Sequence, residues 1–188
     1  MSKLVVVESP AKAKTIQKYL GAGYDVLPTI GHIRELPKKD AIDPDNGYSM
    51  NYVVSPGKED AVKKIKGAAK KADQVILATD PDREGEAIAW HVADIIANAK
   101  FEQPEIKRAV FYEISEKAVK EAVNSPGEIA MDLVQSQETR RALDRHFGFS
   151  LSPLLWRLFP SNNHSAGRVQ SPALRMIVER EREIDAHS

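Results

Sequence analysis

Two short apolar runs, Leu4-Val5-Val6-Val7 and Val75-Ile76-Leu77-Ala78-Thr79, each end on a carboxylate and each lead into an amphipathic stretch. Runs this brief and this continuously apolar fit strands buried on both faces, the condition of a parallel sheet covered by helices. Glu8 stands at the end of the first run, followed by Ser9-Pro10, a pair suited to a helix N-cap and first helical position. Asp80 stands at the end of the second. If the strands are neighbours, the two acids converge on the edge where open α/β sheets place their ligands.

The second acid opens a dense stretch, Asp80-Pro81-Asp82-Arg83-Glu84-Gly85-Glu86, with four carboxylates in seven residues. Like charges this close resist ionising together, and a hard cation such as Mg2+ would neutralise them. The alternative is structural, because Asp and Glu also cap free N–H groups and complement the dipole in a first helical turn. Lys12 and Lys14 follow Glu8 on a helix whose buried side is Ile16, Tyr19 and Leu20 and whose stop is Gly21. Taken singly, Glu8 could satisfy backbone donors at a strand end and Lys12 could belong to a solvated face.

The alternation continues along the chain. It predicts strands over Leu4 to Val7, Asp25 to Ile30, Val75 to Thr79 and Ala109 to Tyr112, and helices over Pro10 to Leu20, Glu59 to Ala72 and Glu84 to Ala99. That is a doubly wound α/β fold with a mainly parallel sheet. Gly31 to Gly57 reads as loop, with a short strand within Tyr48 to Val54. A short helix runs from the Ser115 cap to Val123, and Asn124-Ser125-Pro126-Gly127 ends it. A domain boundary falls there, dividing residues 1–125 from 126–188. The second part reads as helical: Ile129 to Phe147 stopped by Gly148, a turn around Pro153 to Leu158, and a helix from Ser171 to Ile184.

Composition narrows the class of protein. The 188 residues carry 27 basic and 27 acidic side chains, so any nucleic-acid contact must come from local patches. No cysteine is present, which excludes disulfides and cysteine-ligated zinc. No apolar run reaches membrane-spanning length, and the start is too short in apolar residues for a signal peptide. Lys63, Lys64, Lys66, Lys70 and Lys71 form a solubility face opposite Ala61, Val62, Ile65, Ala68 and Ala69. After Lys120 every Lys or Arg position is Arg. Arg140, Arg141 and Arg145 lie on a helix with a polar middle, placed to follow a phosphate backbone. Spacing equally allows an ordinary i,i+4 ion pair between Arg140 and Asp144. Ser165-Ala166-Gly167-Arg168-Val169-Gln170 reads either as a close-approach loop for a nucleic-acid strand or as a tight interhelical turn. Phe149 and Trp156 suit stacking on unpaired bases, worth about 1 to 3 kcal/mol per base, or else core packing.

Four motifs in order carry a family resemblance: Val7-Glu8-Ser9-Pro10-Ala11-Lys12-Ala13-Lys14-Thr15, Gly31-His32-Ile33-Arg34-Glu35-Leu36-Pro37, Asp80 to His91, and Ser165 to Ser171. Together they resemble the N-terminal part of the bacterial DNA topoisomerase I family, type IA enzymes. The first and third resemble the Toprim domain, a metal-binding module shared with primases and some nucleases. The resemblance implies a Toprim-type, Rossmann-like, mainly parallel sheet flanked by helices over residues 1–125. It implies the start of a small all-helical single-stranded-DNA-binding lobe over 126–188.

Roles follow from the same resemblance. Glu8 is implied as an acid that holds Mg2+ and protonates a departing 3′ oxygen, and Lys12 as partner of the scissile phosphate. Asp80 and Asp82 are implied as Mg2+ ligands, with Glu84 a further or water-mediated one. His32, Arg140, Arg141, Asp144, Phe149, Trp156, Ser165, Ala166, Gly167, Arg168, Val169 and Gln170 are implied to border the DNA path. The reaction is transesterification through a 5′-phosphotyrosine, which relaxes negatively supercoiled DNA. None of Tyr19, Tyr24, Tyr48, Tyr52 and Tyr112 has the surroundings of the family's nucleophile, so the chain reads as a fragment unable to cleave DNA alone. Its partners are then single-stranded or supercoiled DNA and the remaining domains of the enzyme, with no membrane, in a monomeric protein of the bacterial cytoplasm and nucleoid. Phe159-Pro160-Ser161-Asn162-Asn163-His164 departs from the family, which places Gly-Leu and nearby basic residues there, and removes positive charge beside the strand path. Two other readings stand beside this one: a free-standing Toprim nuclease or nucleotidyl transferase, and a noncatalytic DNA-binding module whose acids are only structural.

Overall fold

The computed structural model describes residues 2–39, 41–159 and 164–187. The chain divides into two compact units, residues 1–138 and 139–188. In the first, the β-branched run forms β1 (Lys3–Val7), paired in parallel with β2 (Tyr24–Pro28) on one side and β7 (Gln74–Leu77) on the other. Beyond β7 lies β8 (Glu105–Arg108), giving a four-stranded sheet of order β2-β1-β7-β8.

Period-two alternation in β1 explains the two hydrophobic layers. Leu4 and Val6 point to one face and pack with Val62, Ile65, Val92 and Ile96 of α2 (Glu59–Ala69) and α3 (Arg83–Ala97). Val5 and Val7 point to the other and pack with Ala13, Ile16, Val119 and Val123 of α1 (Pro10–Leu20) and α4 (Glu116–Asn124). Helices cover both faces, so the strands need no polar side. Capping follows the sequence signals. Ser9 Oγ accepts from the Lys12 N–H at 3.3 Å to start α1, and Ser115 Oγ accepts from Ala118 N–H at 3.2 Å to start α4.

Between β2 and α2 the chain makes two small antiparallel ladders: β3 (Arg34–Glu35) with β6 (Val53–Val54), and β4 (Ile42–Asp43) with β5 (Ser49–Met50). The Arg34 guanidinium lies over the Tyr52 and Trp90 rings at 5.2 and 5.8 Å and pairs with Asp94, tying the first ladder to α3. At the outer side of β2, the Gln17 amide stands in for a neighbouring strand. Its oxygen accepts from Val26 N–H at 3.1 Å and its nitrogen donates to the Tyr24 carbonyl at 3.0 Å.

Two elements differ from their sequence expectation. The fourth strand is Glu105–Arg108, not Ala109 to Tyr112. As an outer strand it pairs with one neighbour, so it needs no continuous apolar run; Ala109 and Phe111, the apolar residues that follow, fill the layer beneath α4 instead. The long helix α5 (Met131–Leu158) does not stop at Gly148 and contains Pro153. Glycine in a helix interior costs only about 1 kcal/mol. Near that point Ser152 Oγ accepts from Ala166 N–H at 3.1 Å, which holds the extra turns. The last helix, α6 (Gln170–Ala186), buries none of its residues within its own unit.

Leu77 is completely buried in β7 between the layers. Leu77→Ala is expected to lower unfolding free energy by about 2 to 5 kcal/mol, measured by urea titration.

Candidate metal and phosphate site

Sheet order reverses between β1 and β7, because β2 lies on one side of β1 and β7 and β8 on the other. Crevices that bind ligands form at such reversals, outside the carboxyl ends of the strands. Glu8 leaves the end of β1 and Asp80 follows β7 at that point. Lys12, one turn into α1, closes the gap: its ammonium donates to Glu8 Oε1 and to Asp80 Oδ1. The two acids and the cation therefore converge as the sequence predicts. Their exposures differ in a useful way, with the Glu8 side chain 14 % exposed and the Asp80 side chain 50 % exposed. The second Glu8 oxygen, Oε2, is buried and accepts no hydrogen bond. Burial alone would depress the Lys12 pKa; hydrogen bonds to Asp80 and Glu8, with their charges, outweigh it and leave the pKa raised.

The remaining acids of the loop each have a separate partner. Asp82 is the N-cap of α3, its Oδ1 accepting from Gly85 N–H at 2.7 Å. Glu84 Oε1 meets His32 Nε2 at 3.2 Å. His32 reaches it through a sharp turn in which Ile30 and Gly31 both take left-handed φ, 60° and 79°. A β-branched residue there stores strain of about 1 to 3 kcal/mol, a feature that gathers at functional sites. Glu86 turns inward instead. Its Oε2 accepts from Arg108 Nε at 2.9 Å and its Oε1 from Ala130 N–H at 2.7 Å. Both residues are essentially inaccessible, at 3 % and 1 % exposure. The sequence reading missed this pair; the signal available was a charged residue placed directly before the apolar Ala109-Val110-Phe111.

Among the described residues no three His, Asp or Glu side chains gather closely enough to form a ready-made metal cage. The donor chemistry at the strand ends nonetheless suits a hard divalent cation. It consists of carboxylate oxygens, one of them buried and unshared on Glu8, beside a half-exposed Asp80.

In the second unit, Asp144 of α5 gathers two of the predicted DNA-path arginines. Arg168 Nε donates to its Oδ1 at 2.7 Å, and Arg140 Nε lies 3.6 Å from its Oδ2. The Arg168 hydrogen bond, opposed by slight desolvation and helped by both positive charges, lowers the Asp144 pKa. Gln170 Nε2 donates to the Ser165 carbonyl at 2.8 Å and to its hydroxyl at 3.0 Å, closing the 165–170 segment into a turn. Arg145 stacks on Phe149 at 3.9 Å. Phe149 and Trp156 are 58 % and 45 % exposed, so neither is core, and Trp156 Nε1 donates to the His164 carbonyl at 2.6 Å. Ala166, Gly167 and Val169 line the turn backbone; Gly167 N–H donates to Ser171 Oγ at 3.2 Å and Val169 is exposed. Arg141 lies beside Arg140 on α5. Of the departing segment, Phe159 and His164 pack edge to face at 5.3 Å, and residues 160–163 lie outside the described residues.

Residues 3–114 match the family model for the Toprim domain. The chain belongs to the Toprim family. Beyond the Toprim domain, residues 128–188 match the model described as DNA topoisomerase. DNA topoisomerase 1 of Xylella fastidiosa strain Temecula1 is 55 % identical over 185 residues, 97 % of this chain and 23 % of that protein. DNA topoisomerase 1 of Zymomonas mobilis is 53 % identical over 184 residues, 97 % of this chain and 15 % of that protein. The solved structure of full-length topoisomerase I from Thermotoga maritima superposes with TM-score 0.84 at 48 % identity, covering 96 % of this chain and 30 % of that one. The chain thus spans under a third of the length of each of these relatives.

Two outcomes follow from the geometry of the Toprim loop. A Cβ on Gly85 would sit 2.2 Å from the Asp80 carbonyl oxygen, so Gly85→Ala must displace the loop. A loss of about 1 to 3 kcal/mol is expected by urea unfolding. For Lys12, a folded pKa above the ordinary 10.5 means that its contribution to stability is complete below 10.5 and fades as pH rises through the folded value. The stability gap between wild type and Lys12→Met, measured by denaturant titration at neutral pH and again well above 10.5, is expected to shrink.

Proposed function

We propose that this chain is the metal-binding and first DNA-contacting part of a type IA DNA topoisomerase, which relaxes negatively supercoiled DNA by Mg2+-dependent, transient single-strand cleavage through a 5′-phosphotyrosine. The observation that carries the proposal is the Lys12 ammonium shared by Glu8 and Asp80 at the sheet's reversal point. An acid, a cation and a half-exposed carboxylate within one side chain's reach are the groups that a phosphodiester exchange needs. Glu8, Asp80 and Asp82, with Glu84 a further or water-mediated contributor, would hold Mg2+, which would offset charge on the phosphate.

The chain's own residues supply the rest. Glu8 is placed to pass a proton to the departing 3′ oxygen, and Lys12, already oriented by two acceptors, is placed to meet a phosphate oxygen. His32 borders the same crevice through Glu84. In the second unit Arg140, Arg141 and Arg168 face the DNA backbone. Phe149 and Trp156 offer exposed rings to unpaired bases, and Ser165, Ala166, Gly167, Val169 and Gln170 form a small-residue turn that admits a strand closely. Asp144 orients Arg168 and Arg140 for that contact. We place the functional boundary near residue 125, with the Toprim domain before it and the DNA-binding lobe starting after it. The protein works as a monomer with the other domains of the enzyme, in the cytoplasm at the nucleoid. Among the described residues no helix is long and apolar enough to cross a membrane.

A second reading has two observations in its favour. Asp82 caps α3 and Glu84 pairs with His32, roles that acids in a noncatalytic binding module would also play. Calorimetric Mg2+ titration separates the two. Asp80→Asn combined with Asp82→Asn is expected to weaken binding at least about tenfold, a difference of about 1.4 kcal/mol, and equal affinity in wild type and variant would eliminate the site. The 188-residue polypeptide, incubated with single-stranded DNA and Mg2+, is expected to yield no covalent adduct on denaturing gels.

A further inference from the structure

Among the described residues Arg108 is the largest fully buried side chain, and its guanidinium is spent on one place. Nη1 donates to the Leu77 carbonyl at 3.0 Å, at the end of β7, and also to the Ala109 carbonyl. Nη2 donates to the Asp80 carbonyl at 2.8 Å, and Nε to Glu86 Oε2 at 2.9 Å. The planar fork of arginine thus grips the β7 end, the residue after β8 and the first residue of the acidic loop together, which the single ammonium of a lysine could not do. Glu86 completes the arrangement from α3, holding the guanidinium with one oxygen and the Ala130 N–H, just before α5, with the other. Buried ion pairs contribute little net stability compared with apolar residues of equal volume, so stability alone does not account for this one.

We propose that Arg108 and Glu86 are positioning residues for the metal and phosphate site. The guanidinium fixes the backbone of Asp80, and Glu86 fixes the guanidinium, so the Asp80 carboxylate is held beside Lys12 and Glu8 before any cation or phosphate arrives. Thr79 Oγ1, donating to the Gly85 carbonyl at 2.7 Å, braces the other side of the loop. The proposal rests on the reading of Glu8 and Asp80 as a Mg2+ site.

The test uses the whole chain and two variants, Arg108→Lys and the double apolar variant Arg108→Met with Glu86→Met. The double variant leaves no unpaired buried charge, though the Ala130 N–H and the Asp80 and Ala109 carbonyls lose these partners, so its urea midpoint is expected to return most but not all of the way to wild type, whereas Arg108→Lys falls below it. If the pair positions the loop, Mg2+ affinity by calorimetry stays at least about tenfold weaker in the double variant, a difference of about 1.4 kcal/mol, despite its largely restored stability. Amide hydrogen exchange across residues 79–85 of the metal-free protein becomes faster. Wild-type Mg2+ affinity together with unchanged exchange in the stable double variant would overturn the positioning role and leave the metal site intact. Absence of Mg2+ binding by wild type itself would remove both.

Discussion

Charge repulsion is the constraint around which the first unit is arranged. Asp80, Asp82, Glu84 and Glu86 occupy seven consecutive residues, and Glu8 is brought to meet them by the adjacent strand. At an effective dielectric near 20, two unit charges about 4 Å apart interact by about 4 kcal/mol, a sizeable part of a small domain's stability. The fold answers by giving the four loop acids different donors and aiming successive side chains in different directions: Asp80 to Lys12, which it shares with Glu8, Asp82 to the Gly85 amide, Glu84 to His32, Glu86 to Arg108 and Ala130. Gly85 makes the dense packing feasible, since no side chain fits against the Asp80 carbonyl.

That division of labour separates structure from chemistry within one short segment. Glu86 and Asp82 face inward or along the helix start and build the loop. Asp80 and Glu8 stay at the crevice, joined by a cation that holds them close without burying both. The unshared Glu8 oxygen is one of several buried polar atoms that break the rule of pairing, Thr29 Oγ1 and Gln137 Oε1 among them, and it is the one that lies between the strand ends beside Lys12 and Asp80. Lys12 has a double use in this arrangement, since the contacts that hold the acids together also keep it charged.

Much of this was legible in the sequence, and the misses have physical causes. β1 and β7 are buried on both faces, so their apolar runs are unbroken, and Ser9 and Ser115 announce helix starts by hydrogen-bond chemistry. β8 was displaced by four residues because an outer strand of Glu-Ile-Lys-Arg composition carries no such run. The two-residue ladders around β3 to β6 are shorter than any periodicity can reveal. Gly148 misled because a local penalty of about 1 kcal/mol yields to a contact such as that of Ser152 with Ala166. At the site, the meeting of Glu8, Lys12 and Asp80 follows from parallel neighbouring strands. The Arg108 contacts do not, because they span 22 to 31 residues of chain and depend on which strand lies beyond β7.

Gln17 has a consequence for how the molecule behaves in company. The Thr29 N–H donates to Val7, so odd-numbered residues of β2 turn their peptide groups toward β1 and even-numbered ones turn away. Of the outward set, Tyr24 and Val26 are taken up by the Gln17 amide, and Pro28 has no N–H to offer. At the opposite margin, Arg108 exchanges both backbone hydrogen bonds with Gly127. A passing extended peptide therefore finds few open donors on either flank, and the sheet resists growing by strand addition into aggregates.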